Sequence, residues 1–300
     1  MNHEIPKVTV LLTTFNGVRF LEEQLTSLFG QQGVEIEIMV NDDGSTDGTI
    51  EVLDKWRAKG FNISVSQSKG LGPTRAFLSL LQSCGDKQFV AFCDQDDIWE
   101  PNKLVSQVQL CKTSRAFMSF SERTYIDSLG RVIGNSRKLR NQPTFENALI
   151  ENIAPGNTIF LNSSAIELIN SYVSPNITHY DSWIYLLVSG FGECEYISKP
   201  LVRYRLHENN HVGVGKFKVN RFETSALQFI HQASYLFKVS KHDLGAENTL
   251  ALTKFTAALQ TSGKVHKTKA IFRTKFNRQR FIDQIGFKVT FLLLIAKGKI

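Results

Sequence analysis

Phe89-Val90-Ala91-Phe92-Cys93-Asp94-Gln95-Asp96-Asp97 is the stretch on which the fold turns. Five apolar residues in a row suit a strand buried on both faces. The strand ends in the polar cluster Asp94-Gln95-Asp96-Asp97. Two earlier stretches share this design. Val8-Thr9-Val10-Leu11-Leu12 ends in Thr13-Thr14-Phe15-Asn16-Gly17, and the strand-like Val34–Val40 ends in Asn41-Asp42-Asp43-Gly44-Ser45-Thr46-Asp47-Gly48. A further strand is expected over Phe61–Val65. Helical patterns lie between and after them, over Arg19–Phe29, Thr46–Trp56, Pro73–Leu81 and Pro101–Leu110. Repeated strand–helix units predict an α/β fold with a mostly parallel central sheet flanked by helices. Ligands of such sheets bind beyond the carboxyl ends of the strands, where the three polar clusters fall.

The middle of the chain is mixed. Ala116–Phe120, Thr158–Leu161 and Glu195–Ile197 read as short strands, and Ser163–Tyr172 and Ser182–Val188 as helices. From about residue 217 the pattern is helical, with Leu227, Ile230, Tyr235 and Phe237 in one apolar set.

Each polar cluster alone is ordinary turn chemistry. Together they gather acids at one sheet edge, which repel unless they hold a cation or a donor-rich ligand. Asp94-x-Asp96 directly after a strand offers hard oxygen ligands for Mg²⁺ or Mn²⁺. Such an ion completes its shell with water and substrate phosphates, so a diphosphate leaving group is a natural partner. The run from Asp43 to Asp54 mimics a calcium-binding EF-hand loop. It fails on context, because a strand and not a helix precedes it, and Asp stands where the twelfth-position Glu is usual.

Val8–Asn16, Val40–Asp47, Gly70–Arg75 and Asp94–Asp97 followed by Trp99 and Pro101 form an ordered set that resembles glycosyltransferase family 2. Asp181-Ser182-Trp183 and the run Tyr204 to Asn210 resemble its bacterial rhamnosyltransferase-like branch. The resemblance implies a GT-A fold, with a nucleotide-sugar-binding and catalytic domain over 1–215 and a helical basic extension over 216–300. It implies an inverting, metal-dependent transfer from a nucleoside diphosphate sugar, dTDP-rhamnose or a UDP-hexose, to a saccharide acceptor, lipid-linked, in bacterial surface polysaccharide assembly. By resemblance, Thr13, Phe15, Asp43, Arg75 and Asp94 hold the nucleotide. Asp96, with Asp94, holds the metal, while Asp97 caps the next helix or supports the site. Gly156, Asn157, His207 and Asn210 lie against the donor sugar or the diphosphate.

Asp181 resembles the catalytic base. An inverting transfer needs a carboxylate across the sugar from the diphosphate to take the acceptor's proton. Capping the helix that begins at Ser182 is its plainer role, and the two are compatible. Tyr180 stands where the branch commonly has His. Trp183 is either an acceptor wall or core, with core favoured.

The chain has 300 residues, 42% hydrophobic and 21% charged, which excludes wholesale disorder and collagen-like repeats. Its net charge of +7 is unevenly held: ten of the 35 bases but one of the 28 acids fall at or after Lys264, so the tail is +9 and the rest −2. In the tail, bases interleave with Ile271, Phe272, Phe276, Phe281, Phe287, Val289 and Phe291–Ile295. That pattern predicts either helices packed on the body or a segment for an anionic membrane surface. No nucleic-acid motif accompanies the charge, so nucleic acid is not the expected partner. Cys84, Cys93, Cys111 and Cys194 lack metal-ligand spacing, and the protein reads as reduced and cytoplasmic, peripheral on the inner face of the plasma membrane where its tail meets lipid. No signal peptide or membrane span is expected. The rival functions are a catalytically silent nucleotide-sugar-binding scaffold and a nucleotidyltransferase, the latter disfavoured because no Gly-rich basic loop follows the first strand.

Overall fold

The computed structural model describes residues 4–172, 177–208, 219–240, 244–273, 278–279 and 281–300. The strands are β1 (Lys7–Thr14), β2 (Glu35–Asp42), β3 (Ile63–Gln67), β4 (Phe89–Asp94), β5 (Ile98–Trp99), β6 (Phe117–Ile126), β7 (Val132–Asn135), β8 (Phe160–Asn162) and β9 (Glu193–Arg205). The helices are α1 (Val18–Phe29), α2 (Thr49–Ala58), α3 (Gly72–Gln82), α4 (Lys103–Leu110), α5 (Phe145–Ala148), α6 (Ser163–Ser171), α7 (Tyr180–Phe191), α8 (Val219–Ser240), α9 (Ala246–Gln260), α10 (Lys264–Arg273) and α11 (Phe281–Ala296).

One sheet runs in the order β3-β2-β1-β4-β8-β6-β9-β5, with β7 hydrogen-bonded to β6. The expected parallel pairing holds across β3, β2, β1 and β4. Beyond β4 the sheet is mixed: β8 is antiparallel to both β4 and β6, whereas β9 runs parallel to β6. The two-residue β5 pairs with β9 and the hairpin strand β7 with β6, neither of which the hydrophobic pattern marks.

Strand alternation divides the core between the two faces. Val8, Val10 and Leu12 of β1 and Ala91 and Cys93 of β4 pack with Leu21, Leu25 and Leu28 of α1. Leu11, Val90 and Phe92 face the other way, onto Phe77 and Leu81 of α3 and the buried run Trp183–Val188 of α7. Burial of each such Leu or Phe contributes roughly 1.5–3 kcal/mol. Trp183 is core, 1% exposed, with its indole N–H on the Tyr172 carbonyl at 3.2 Å.

The C-terminal helices join the second of these clusters through Ala226 and Ile230 of α8, Leu252 and Phe255 of α9, and Phe291 and Leu294 of α11. Lys297 and Lys299 pair with Glu223, and Arg278 with Glu151 at 3.5 Å. The apolar residues of the tail therefore divide. Phe287, Phe291, Leu294 and Ile295 are buried, while Ile285, Val289 and Leu293 form an exposed stripe at helical spacing on α11. The side chains of Ile271, Phe272, Phe276 and Phe281 lie outside the described residues. Among the described residues, no helix is long and apolar enough to cross a membrane.

Candidate active site

Register places the polar strand ends together. Thr13 of β1 pairs with Asn41 of β2 on one side and with Asp94 of β4 on the other. Asn16 then takes a left-handed conformation at φ 46°. Its amide oxygen accepts from Thr46 N–H at 2.9 Å and its own N–H donates to Ser45 Oγ at 2.8 Å, which locks the first two loops together. Buried Asp42 accepts from Thr14 Oγ1 and the Ser45 N–H at 2.7 and 2.8 Å. Asp47 accepts from Val18 N–H and from Thr49. Those bonds occupy both carboxylates in holding the loop, and β2 stands where an EF-hand needs a helix. The helix expected from Thr46 begins at Thr49, after Gly48 in a left-handed conformation.

Asp43 reaches the loop before α3. Its carboxylate accepts from Ser68 Oγ, Leu71 N–H and Gly72 N–H, each at 2.8 Å. Burial works to raise its pKa, but those amide and hydroxyl donors outweigh it and hold the group below the usual carboxylate value. Arg75, on the first turn of α3, is exposed, and no ion pair joins it to Asp43. Phe15 is 56% exposed at the rim. Its main-chain N–H and C=O are both taken by the Gln95 side chain, at 2.8 and 3.1 Å, tying the first loop to the D-x-D turn.

Asp94 is half-buried, and its carboxylate accepts no hydrogen bond among the described residues. Burial first, then the neighbouring Asp96 charge, push its pKa up to about 7; Arg123 opposes the rise and Asp181 adds to it. Asp96 Oδ2 lies 2.7 Å from His207 Nε2. Asp97 is fully buried and accepts from Asn157 Nδ2 and the Arg205 main-chain N–H. It does not cap a helix, because β5 follows it, and its carboxylate instead joins Asn157 to the end of β9.

Asp181 lies in the first turn of α7, which begins at Tyr180, so His179 and not Asp181 occupies the cap position. The Ser182 N–H donates to Asp181 Oδ1 at 2.8 Å. Burial raises the Asp181 pKa against the lowering pull of that N–H, of His179 and of Asn152. Tyr180 stacks near Phe77 and Phe92, with ring centroids 4.5 and 5.1 Å away. A Cβ at Gly156 would lie 2.1 Å from the Tyr180 hydroxyl, so that position admits only glycine. Neighbouring Asn157 is buried, and its Oδ1 has no hydrogen-bond partner among the described residues. Asn210 lies outside the described residues.

Sequence reasoning gave Arg205 no role, yet it organises this corner. It is 1% exposed, donates from Nε to the Asp96 carbonyl at 2.8 Å, and pairs through NH2 with Glu23 at 2.5 Å. Phe20 lies under both its guanidinium, at 4.7 Å, and the His207 ring, at 5.1 Å between centroids. Its signal was present in the run Tyr204 to Asn210, but burial of an arginine is not readable from a string.

The donor set fits a hard divalent cation. Two carboxylates stand one residue apart, Asp94 carries no competing donor among the described residues, and burial leaves it short of compensating charge. Among the described residues no third His, Cys, Asp or Glu completes a protein-only cage. Water and substrate oxygens would have to supply the rest, as is usual for Mg²⁺.

A profile described as Glycosyl transferase family 2 matches residues 9–165, more than half of the chain. The chain belongs to glycosyl transferase family 2. The dTDP-rhamnosyl transferase RfbG of Shigella flexneri is 28% identical over 214 residues, covering 67% of this chain and 73% of that one. Among solved structures, residues 1–349 of S. aureus TarS in complex with UDP-GlcNAc superpose with a TM-score of 0.58 at 16% identity, over 97% of this chain and 92% of TarS. The mannosyltransferase PcManGT from Pyrobaculum calidifontis, in complex with GDP-Man and Mn²⁺, superposes with a TM-score of 0.54 at 16% identity, over 99% and 87% of the two chains. This family 2 glycosyltransferase thus has the GT-A fold, as the resemblance implied.

Proposed function

We propose that this enzyme transfers a sugar with inversion from a nucleoside diphosphate donor to a saccharide acceptor. The observation that carries the proposal is that Tyr180, beside Asp181, stacks on Phe92 of the strand that ends in Asp94, with ring centroids 5.1 Å apart. On this reading the strand-end acids and the α7 carboxylate, far apart in sequence, border one cleft. Thr13, Phe15, Asp43 and Arg75 bind the nucleotide. Asp94 and Asp96 hold Mg²⁺ or Mn²⁺, which when bound offsets negative charge on the diphosphate. Gly156, Asn157, His207 and Asn210 border the donor sugar or the diphosphate. Asp181, with its raised pKa, takes the proton of the acceptor hydroxyl.

The donor is dTDP-rhamnose or a UDP-hexose, and the first is favoured by the likeness to RfbG. The PcManGT complex with Mn²⁺ supports the metal. Residues 1–215 form the catalytic unit and 216–300 a helical extension packed on it. The acceptor is lipid-linked and belongs to bacterial surface polysaccharide assembly. The enzyme works in the cytoplasm at the inner membrane face, with the basic tail and the exposed α11 stripe against anionic lipid.

A donor screen with purified protein tests the proposal, following dTDP or UDP release with Mg²⁺ or Mn²⁺ for each nucleotide sugar in turn. Full activity after chelation would remove the metal. Nucleotide-sugar binding without turnover across a broad acceptor panel would support the silent scaffold instead.

A further inference from the structure

Arg123 is a cation whose charge acts on Asp94, and among the described residues no carboxylate is bound to it. It lies on β6 where the pairing with β9 slips register twice, between Ser121 and Glu122 and between Glu122 and Arg123. Such irregularities re-aim side chains beside functional sites. Glu122 turns to Tyr196, whose hydroxyl donates to its Oε1 at 2.5 Å. Arg123 is directed elsewhere, its guanidinium 4.7 Å from the Tyr204 ring centroid and 5.9 Å from that of Tyr125. Its charge reaches Asp94, which also feels Asp181.

Despite these neighbours, the Arg123 side chain forms no ion pair among the described residues, and its Nε is buried with no hydrogen-bond partner. A half-buried guanidinium left this way is unfavourable until an anion meets it. An aromatic ring against its face engages neither terminal amino group, and the planar edge of a guanidinium matches two oxygens of one phosphate group.

We propose that Arg123 is a binding site for a phosphate group carried by a substrate, an inference that rests on the glycosyl-transfer reading of the same cleft. The phosphate comes either from the diphosphate of the donor or from a phosphate-linked lipid acceptor.

The test compares full-length wild-type protein with Arg123→Gln and Arg123→Lys, using calorimetric titration in Mn²⁺. The probes are UDP and dTDP against uridine and thymidine, and farnesyl phosphate against farnesol. The expected result is that Arg123→Gln weakens one phosphate-bearing probe roughly tenfold or more, with its phosphate-free counterpart unaffected. Arg123→Lys falls between, because it keeps the charge and loses the fork. Loss on UDP or dTDP assigns the donor, and loss on farnesyl phosphate assigns the acceptor. Equal affinities of wild type and Arg123→Gln for every probe, with both folded by circular dichroism, overturn the assignment. So does a matching loss on the phosphate-free probes, which marks a structural role. Wild-type protein that binds neither UDP nor dTDP counts instead against the donor reading, a separate result seen without any variant.

Discussion

The Nε–H of Arg205 donates to the main-chain carbonyl of Asp96 at 2.8 Å, joining residues 109 positions apart. The same arginine's main-chain N–H is held by Asp97 at 3.1 Å. One residue at the end of β9 therefore fixes the turn that carries Asp96. Outer-shell contacts of this kind typically govern metal affinity by about 10- to 100-fold. Arg205→Lys is expected to shift the Mn²⁺ dependence of activity to higher concentration by roughly tenfold. Thermal stability should fall too, since a lysine cannot serve the carbonyl and Glu23 at once. A merely structural role would lower the melting temperature and leave the Mn²⁺ titration of the folded fraction unchanged.

Asp181 should titrate in the rate. A base must be deprotonated to act, and burial raises the pKa of this one. Activity is therefore expected to fall as pH drops through a value above the usual aspartate pKa of about 3.9. With donor and metal saturating, this acid limb should appear in kcat. Asp181→Asn should lower kcat by roughly 10²–10⁴-fold, the usual contribution of a general base, with donor affinity little changed. Full transfer by Asp181→Asn would end its assignment as base.

What the sequence made legible follows from how local each signal is. The apolar run Phe89–Cys93 and the acids after it lie on one strand end, so both the strand and the D-x-D site could be read from neighbours in sequence. Asp181 was legible only by resemblance, since nothing near it in sequence demands a base. Arg205, Gln95 and Arg123 act on partners brought close by the sheet and were not legible. The length of β9 was hidden by Pro200, which usually argues against a strand. It is tolerated here because Pro200 pairs with Glu122 at the register slip, where the regular ladder is already broken. The two residues of β5 are too few to show any period.

The α11 stripe makes the membrane proposal specific. Ile285, Val289 and Leu293 are 48%, 47% and 40% exposed, while Phe291 and Leu294 of the same helix are buried. The exposed positions can be changed without opening the core. The double variant Val289→Asp and Leu293→Asp is expected to keep its fold and lose co-sedimentation with phosphatidylglycerol vesicles. Partition should fall because burying apolar surface in the acyl boundary and attracting anionic headgroups act together. Co-sedimentation equal to wild type would remove the stripe from the interface.

Lys103 gives a pH prediction of opposite sign to the common case. It is fully buried on α4, with its ammonium 3.8 Å from the Trp99 ring centroid and bonded to Gln107 Oε1 at 2.9 Å. No carboxylate pairs with it among the described residues, and burial pushes its pKa down to about 7 from 10.5. Between those values the unfolded chain holds the proton and the folded chain does not. Unfolding then takes up a proton, so stability from this group falls as pH drops from about 10.5 to about 7 and is level below. Lys103→Met keeps the length of the side chain and removes the charge. It gives up the contact with Trp99 and leaves Gln107 Oε1 unpaired, which offsets part of the gain. The variant is expected to be more stable than wild type at pH 6, by on the order of 1–4 kcal/mol. That advantage should shrink steadily above pH 7, vanish before pH 10.5 and reverse there, where only the lost contacts remain. Urea unfolding of both proteins across this range measures the difference directly. A difference independent of pH would mean that Lys103 keeps its proton in the folded state, held by the ring and the amide alone.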